Sequence, residues 1–459
     1  MNALFFKLYA VMMWLAQPLL RRKLARRALN EPGYGQAIGE RFGQYTQAVE
    51  TRSELVWVHA VSLGETRTAA MLLKALRAAY PGLRVLLTHG TATGRAEGTG
   101  LLRPGDVQVW QPWDSPAAVA RFFTHFKPRL GVLMETEVWP CTVVEARQRG
   151  VPLVLANARL SEKSLKQALR LGPLALPAYA ALSGVLAQTQ ADATRFAQIG
   201  VQARVVGNVK FDATPDADLL ARGRAWRQAL AQPVVLFASS RDGEETLFFE
   251  SFKALAQVNI AYSATELVAF NHSLHWLVVP RHPQRFGAVA ALAAQHGLVV
   301  SRRSQWPDAG PAASAEAMAA DIWLGDSLGE MALYYALADV ALLGGSFAPL
   351  GGQNLIEAAA CGCPVVMGPH TFNFADAALQ AEAVGAAQRV PDMPGAVAAA
   401  GLWLKNDAAR VRAENAGRVF AVSNQGATDR TVLALQPWLS AASDVERRVA
   451  GNASSSRDA

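Results

Sequence analysis

The sequence contains little cysteine. Only Cys141, Cys361 and Cys363 occur in 459 residues, which is too few for a disulfide framework. Cys361 and Cys363 also lack the second ligand pair that a structural zinc site requires. The cysteine usage therefore favours a reducing, cytoplasmic setting.

Several signatures of nucleotide and metal enzymes are missing. No strand-like run is followed by G-x-G-x-x-G, and no Walker lysine follows the glycines of GTATGRAEG, which disfavours a dehydrogenase or an NTPase. H-E-x-x-H is absent, and the D-x-D from Asp216 to Asp218 follows a proline, as is typical of a helix N-terminus. The sequence therefore implies no bound metal.

Positive charge is modest and mostly dispersed. The formal net charge is +7, and Lys and Arg are scattered through helical patterns, which disfavours a nucleic-acid binder. The exception is RRKLARR, Arg21 to Arg27, directly after the apolar run from Leu8 to Leu20. That run is shorter than the roughly 20 residues of a perpendicular membrane span. A spanning anchor, an interfacial helix and a buried N-terminal helix all remain open, and we favour membrane association on the cytoplasmic face.

The alternation of apolar runs with helical patterns predicts an α/β fold. The strand-like runs are LVWVHAV, RVLLTHG, VQVW, RLGVLMET, VPLVLANA, GVLAQT and ARVVG, then PVVLFASS, HWLVVPRH, GLVVS, DIWLGD, DVALLGGS, CPVVMGPH and AAQRV. This pattern indicates two tandem doubly wound parallel sheets, with ligands at the carboxyl ends of their strands. We predict an anchor and basic linker (1–50), a first Rossmann-like domain (51–207), a second (208–440) and a disordered tail (441–459).

The segment HAVSLGET, His59 to Thr66, reads as a strand, a glycine turn and a helix start. Free N–H groups and the helix dipole make such turns favourable for anions. In this turn, however, the negative charge belongs to the protein itself, on the side chain of Glu65. It either serves chemistry there or only stabilises the first turn of the helix, typically by roughly 0.3–1 kcal/mol.

Two segments in the second half are typical of nucleotide sites. In GGSFAPLGGQNLIEAAA, the glycine pair ending at Gly352 opens a helix through Gln353 and Asn354, so backbone N–H groups can approach a phosphate, and Glu357 one turn later can accept hydrogen bonds from a ribose. In LVVPRHPQRF, Arg281 and His282 follow a strand and could clamp a phosphate. The alternatives are a structural glycine turn and an ordinary surface turn.

Seven motifs together closely resemble the Kdo transferases of Gram-negative lipopolysaccharide synthesis. The motifs occur in order from about Gly33 to Leu439: HAVSLGET, METEVWP, ANARLS, GNVKFD, VPRHPQRF, GDSLGEM and GGSFAPLGGQNLIEAAACGCPVVMGPHTFNF. The resemblance implies a GT-B glycosyltransferase that moves Kdo from CMP-Kdo to a lipid A precursor, lipid IVA, with inversion and without a bound metal or other cofactor. It also implies an inner-membrane protein whose catalytic domains face the cytoplasm.

The resemblance also assigns residues. Glu65 becomes the general base, with Glu135 or Glu137 positioning the acceptor or the base, while Arg281 and His282 stabilise the phosphate of the leaving CMP. Further contacts to the donor or near the base are implied for Lys210, Ser239, Arg241, Gly329, Glu330, Met331, Gly352, Asn354 and Glu357.

The sequence departs from the family in two places. Arg241, in SSRDGEE, stands where histidine is expected, and Val258 to His275 looks like an insertion. Two alternative functions stay open, namely another lipid-linked nucleotide-sugar transferase, for example one using a UDP-sugar, and a membrane-tethered protein that binds a nucleotide sugar without turnover.

Overall fold

The computed structural model describes residues 3–51, 54–255 and 274–440. The chain divides into two compact units, the first comprising Met1–Asp212 with Gln425–Ala459 and the second comprising Ala213–Asn424. The sequence analysis placed Lys210 and the stretch up to 440 in the second domain. In the structure, Lys210 and residues 425–440 belong instead to the first unit. The predicted tail (441–459) lies outside the described residues.

The first unit is built on a seven-stranded parallel sheet with the order β3-β2-β1-β4-β5-β6-β7. Its strands are Leu55–His59 (β1), Arg84–His89 (β2), Val107–Trp110 (β3), Leu130–Met134 (β4), Leu153–Ala158 (β5), Gly184–Ala187 (β6) and Arg204–Val205 (β7).

The helices of this unit connect consecutive strands or flank the sheet. They are Ala3–Leu15, Gln17–Asn30, Leu63–Ala79, Ala92–Thr99, Pro116–Phe126, Pro140–Gln148, Glu162–Arg170, Gly172–Ala180, Gln190–Gln198 and 427–440, with 3-10 turns at Pro32–Gly35, Ile38–Phe42 and Val209–Asp212.

Both faces of the first sheet are buried. Its central strand β1 shows this, since every residue before His59 is apolar. Leu55 and Trp57 point into one core cluster, whereas Val56 and Val58 point into another, as the two-residue side-chain period of a strand requires. The second cluster includes Leu435 of helix 427–440, which is fully buried. This burial explains why the end of the described chain belongs to the first unit.

The second unit contains another seven-stranded parallel sheet, with the order β10-β11-β9-β8-β12-β13-β14. Its strands are Val234–Ser240 (β8), His275–Pro280 (β9), Val300–Arg302 (β10), Ile322–Leu324 (β11), Val340–Leu343 (β12), Val365–Met367 (β13) and Ala387–Arg389 (β14).

Helices cover this sheet as well. They are Ala217–Gln228, Glu244–Leu255, Phe286–Gln295, Ala315–Met318, Met331–Leu337, Leu355–Cys361, Ala375–Ala383, Met393–Leu404 and Asp407–Ser423, with 3-10 turns at Pro283–Arg285, Arg303–Gln305, Pro311–Ala313 and Phe372–Phe374. The prediction of two doubly wound parallel α/β domains is confirmed.

The strand order reverses once in each sheet. In the first unit β1 lies between β2 and β4, and in the second β8 lies between β9 and β12. Connections leave the two central strands toward opposite sides at these points, which opens a crevice at the carboxyl ends of the strands. Both switch points fall on motifs that the sequence analysis singled out.

The N-terminal membrane helix stays a prediction. Among the residues that the structure describes, no helix combines the length and apolar character needed to cross a bilayer.

Candidate active site

Glu65 is folded back over the turn between β1 and its helix. Ser62 caps helix Leu63–Ala79, and its Oγ accepts the Glu65 N–H at 3.4 Å. The Glu65 carboxylate accepts the Val61 N–H at 2.8 Å and the Ser62 hydroxyl at 3.2 Å. This reciprocal arrangement resembles a capping box. The helix-stabilising role is therefore real, and it also fixes the carboxylate at the switch point.

A network of buried polar side chains is hydrogen-bonded to this turn. The sequence analysis did not predict it. Thr66 donates its hydroxyl to the Ser62 carbonyl at 2.9 Å, while His89 Nδ1 lies 3.0 Å from the Ala60 carbonyl and 3.2 Å from Thr66 Oγ1. Burial lowers the pKa of His89 to about 4. The imidazole is therefore neutral at pH 7 and acts as a fixed hydrogen-bonding support.

Glu135 and Glu137 follow β4, the neighbour of β1 across the switch point. Glu135 has a φ of 59°, in the left-handed region that non-glycine residues rarely adopt. Two bonds hold this conformation, from the Glu135 N–H to the Ala156 carbonyl (3.0 Å) and from the Arg159 N–H to the Glu135 carbonyl (3.1 Å). Glu137 accepts the Trp139 indole N–H at 2.7 Å. Strained backbone of this kind is concentrated at functional sites.

Lys210 forms an ion pair with Glu135 at 2.7 Å. Both side chains are mostly buried, with 20% and 14% of their surfaces exposed. The sequence analysis expected Lys210 to meet the donor's carboxylate or phosphate. The structure places it in the first unit, against one of the two predicted acceptor-side carboxylates.

The negative charges of Glu135 and Glu137 act on Glu65. Burial first, and then the charge of Glu135, raise the pKa of Glu65 to about 8, against the opposing hydrogen bond from Val61. Burial also raises the pKa of Glu137. A carboxyl group that titrates near neutral pH can exchange a proton with a substrate, as a general base must.

In the second unit, β8 ends in a strained turn that Glu244 holds. Ser239 has a φ of 55°. The fully buried Glu244 carboxylate accepts the N–H groups of Arg241 (3.0 Å), Gly345 (2.7 Å) and Phe347 (3.0 Å), and that of Ala348 at 3.2 Å. It thereby ties the turn after β8 to the loop after β12. The sequence analysis quoted this glutamate in SSRDGEE without giving it a role.

Three arginine side chains and His282 gather beside that turn. Burial, and then the charges of Arg241, Arg281 and Arg285, lower the pKa of His282. The Arg281 N–H binds the Ser240 carbonyl at 3.0 Å, and its Nε donates to Gln353 Oε1 at 3.1 Å. The predicted Arg281–His282 pair thus lies, together with Arg241, beside the loop from Gly344 to Gly352 (the glycine loop). The arginine charges make this region favourable for an anion.

The glycine loop packs too closely for larger residues. A Cβ at Gly344 would lie 2.3 Å from the Ser239 carbonyl oxygen, so only glycine lets β12 end beside β8. Gly352 has a φ of 75° and donates its N–H to the Gly345 carbonyl at 2.7 Å. Asn354 caps helix Leu355–Cys361 by accepting the Ile356 N–H at 3.2 Å. Glu357 lies half-buried in the first turn of that helix.

The family model described as "3-Deoxy-D-manno-octulosonic-acid transferase (kdotransferase)" matches residues 36–213. A 3-deoxy-D-manno-octulosonic acid transferase of Bordetella pertussis is 46% identical over 92% of this chain and 96% of its own length. That of Haemophilus influenzae is 30% identical over 94% of this chain and 98% of its own length. The chain belongs to the Kdo transferase family. It is a glycosyltransferase, and the resemblance stated from the seven motifs is confirmed.

Solved structures agree at the level of the fold. A glycosyltransferase from Rickettsia africae superposes with a TM-score of 0.55 at 11% identity, covering 85% of this chain and 99% of its own. The two parallel-sheet units therefore resemble a GT-B glycosyltransferase.

The GDSLGEM segment of this Kdo transferase family member is built around ion pairs. The Glu330 carboxylate accepts Arg222 at 2.6 Å, Arg303 at 3.1 Å and the Ser327 hydroxyl. Glu330 also precedes helix Met331–Leu337, and the exposed Gly329 has a φ of 80°. These contacts give Glu330 a structural role within the second unit, and the predicted proximity of this loop to the base stays a prediction.

Of the two sequence departures from the family, the structure locates Arg241. Arg241 lies in the cationic group, so the substitution of the expected histidine keeps a positive charge there. The insertion from Val258 to His275 falls outside the described residues except for its last two positions. Among the described residues, no group of three or more His, Cys, Asp or Glu side chains is arranged to hold a metal ion.

Proposed function

We propose that this protein transfers Kdo from CMP-Kdo to lipid IVA, a lipid A precursor, by an inverting, metal-independent displacement without any cofactor. The observation that carries the proposal is the Glu65 carboxylate, held at a switch point with a pKa of about 8. A single displacement with inversion needs one base and no carboxylate nucleophile.

The proposed reaction is a single displacement at the anomeric carbon of Kdo. Glu65 removes the proton from an acceptor hydroxyl while that oxygen forms a bond to the anomeric carbon of Kdo. The bond from this carbon to the phosphate oxygen breaks, and CMP leaves with the electron pair. Lys210 pairs with Glu135, and its positive charge partly offsets the effect of that carboxylate on the pKa of Glu65.

The donor is expected in the second unit. CMP-Kdo carries a phosphate and a sugar carboxylate near the bond that breaks, so it needs more than one cation. The guanidinium groups of Arg241 and Arg281 lie beside the glycine loop and would meet these anionic groups, with His282 next to them as a hydrogen-bonding group and with Gly352 and Asn354 at the start of the following helix. Ser239 and Glu357 would complete the contacts to the nucleotide.

The proposed location is the cytoplasmic face of the inner membrane. Support comes from the basic cluster Arg21 to Arg27 after an apolar segment, which favours attachment to an anionic surface. A lipid acceptor stays in the bilayer, so an enzyme that meets it there has a short path to its substrate.

The first experiment is mass spectrometry of the lipid product. The full-length protein is incubated in detergent with lipid IVA, Kdo, CTP and a CMP-Kdo-forming enzyme. We expect a gain of one or more Kdo masses, and the same gain after treatment with a metal chelator once the donor has been made and the forming enzyme removed. A product formed only with added divalent metal would contradict the metal-independent step.

A lipid-linked transferase using another nucleotide sugar is the second candidate. Thermal shift with CMP and UDP separates the two, because each nucleotide stabilises the protein only in proportion to its affinity. We expect protection by CMP and little by UDP. The reverse order would replace the proposed donor.

A further inference from the structure

The N-terminal helix presents two different faces. Phe6 and Tyr9 pack against the core of the first unit. The other side of the same helix exposes large apolar side chains, from 45% of Phe5 to 66% of Trp14. The exposed set is Leu4, Phe5, Leu8, Val11, Met12, Trp14 and Leu15. An apolar surface of this extent on a folded domain marks a site of interaction.

A partly buried hydrogen bond holds this helix against the first unit. The Tyr9 hydroxyl donates to Asp114 Oδ2 at 2.9 Å. Asp114 is only 4% exposed and also accepts the Cys141 N–H (2.9 Å), the Thr142 N–H (2.8 Å) and the Thr142 hydroxyl (2.8 Å). Pulling the helix away would unpack Phe6 and remove a donor from a buried carboxylate, which is costly.

The next helix, Gln17–Asn30, is also fixed to the first unit and presents positive charge. Leu24 is 3% exposed and packs with Tyr34 and Phe42. A separate face of the helix presents Leu19, Arg22, Lys23, Arg26, Arg27 and Asn30. Guanidinium and ammonium groups next to an apolar surface match the acyl chains and anionic headgroups of one leaflet.

We propose that helices Ala3–Leu15 and Gln17–Asn30 bind in the plane of one anionic phospholipid leaflet while docked on the first unit, so that the first helix does not cross the bilayer. This inference rests on the proposed membrane location and adds the topology, which the sequence left open. A protein partner is the other conceivable occupant, and the adjacent basic face favours the leaflet over it.

The same contacts connect the leaflet to the site. Asp114 joins Tyr9 to the first turn of helix Pro140–Gln148, which begins directly after the loop that carries Glu137 and the 39%-exposed Trp139. The lipid acceptor therefore reaches the acceptor-side carboxylates from the leaflet on which the helix pair lies.

Cysteine labelling tests the topology without any activity. The native cysteines are buried, at most 4% exposed, so single cysteines introduced by Lys7→Cys on the first helix and Lys74→Cys report separately. Lys74 is exposed on helix Leu63–Ala79 of the first unit. With a membrane-impermeant maleimide applied to spheroplasts or inverted vesicles, both positions should be labelled from the same side. Labelling from opposite sides would overturn the proposal, and a protein found wholly in the soluble fraction would do the same.

Vesicle binding tests the occupant. Neutralising three basic residues, by Arg22→Gln, Lys23→Gln and Arg26→Gln, should weaken partition of the purified full-length chain onto phosphatidylglycerol-containing vesicles by about 100-fold. The matched control neutralises three exposed cations elsewhere on the first unit, Lys74, Arg103 and Arg147. Equal losses in both variants, or undiminished binding in the first, would contradict leaflet docking. Because neither assay uses the donor, a wrong donor assignment would leave both results unchanged.

Discussion

Glu65 has both a structural role, in the hydrogen bonds of its turn, and the chemical role that we propose for it. Its carboxylate satisfies the Val61 N–H of the turn, yet burial and Glu135 make its charged form unfavourable. Catalytic residues often reduce the stability of the folded protein, because the burial and neighbouring charges that shift their pKa also disfavour their ionised state. Substitutions of Glu65 and its neighbours separate the effect on stability from the effect on catalysis.

Glu65→Gln should lower kcat by roughly 10²–10⁴-fold, the usual contribution of a general base. The folded-state pKa lies above the unfolded value, so the wild type is most stable below pH 4.5 with respect to this group and loses that stability as the pH rises through about 8. The variant should therefore melt at a higher temperature than the wild type at pH 9, with a smaller difference at pH 5. Glu162→Gln, in an exposed first turn, is the control and should change neither quantity.

The pH profile of kcat/KM reports the base in the free enzyme. We expect its acidic limb near pH 8 in the wild type. Glu135→Gln removes the largest neighbouring negative charge and should move the limb to lower pH. Lys210→Met leaves Glu135 without its ion-pair partner and should move the limb upward. Shifts in the same direction for both variants would contradict the proposed coupling.

At the scale of elements, both switch points are held by side chains that bind backbone. Glu244 ties the turn after β8 to the loop after β12, as Ser62 and Thr66 tie the turn after β1. Isolated loops of this kind would be mobile. The parallel sheets therefore give the direction of each loop, and these side-chain hydrogen bonds give its conformation.

Glu244→Gln should release the glycine loop. The amide group would present an N–H₂ toward backbone donors, leaving about two of them unpaired at a cost of about 2–4 kcal/mol. We expect a lower urea midpoint and weaker CMP affinity, measured by titration calorimetry. Glu250→Gln, exposed on the same helix, should leave both unchanged. Unaltered CMP affinity in a folded Glu244 variant would show that the loop does not contact the nucleotide.

On the scale of the whole molecule, the chain passes through the second unit and returns to the first. Helix 427–440 supplies Ala434, Leu435 and Leu439 to the core cluster that also contains Val56 and Val58. The hydrophobic core of the first unit is therefore complete only when helix 427–440 is present. The stability of this unit depends on residues far from its sheet in sequence.

Leu435→Ala should destabilise the first unit by about 2–5 kcal/mol, since a fully buried leucine leaves a cavity. Leu433→Ala, two residues earlier and 60% exposed, should stay within about 0.5 kcal/mol of the wild type. Denaturant unfolding followed with and without CMP assigns the affected transition. A shift confined to the CMP-stabilised transition would contradict the placement of this helix in the first unit.

The sequence by itself determined the strands, the two doubly wound sheets and the family. Apolar periodicity, turn residues and motifs are local in the chain, so they were readable without coordinates. The tertiary structure alone decided that Lys210 pairs with Glu135, that Glu244 holds the glycine loop and that helix 427–440 returns to the first unit. Each of these contacts joins residues more than 70 positions apart, and which partner a buried charge or apolar face meets depends on the packing of the whole fold rather than on its neighbours in sequence.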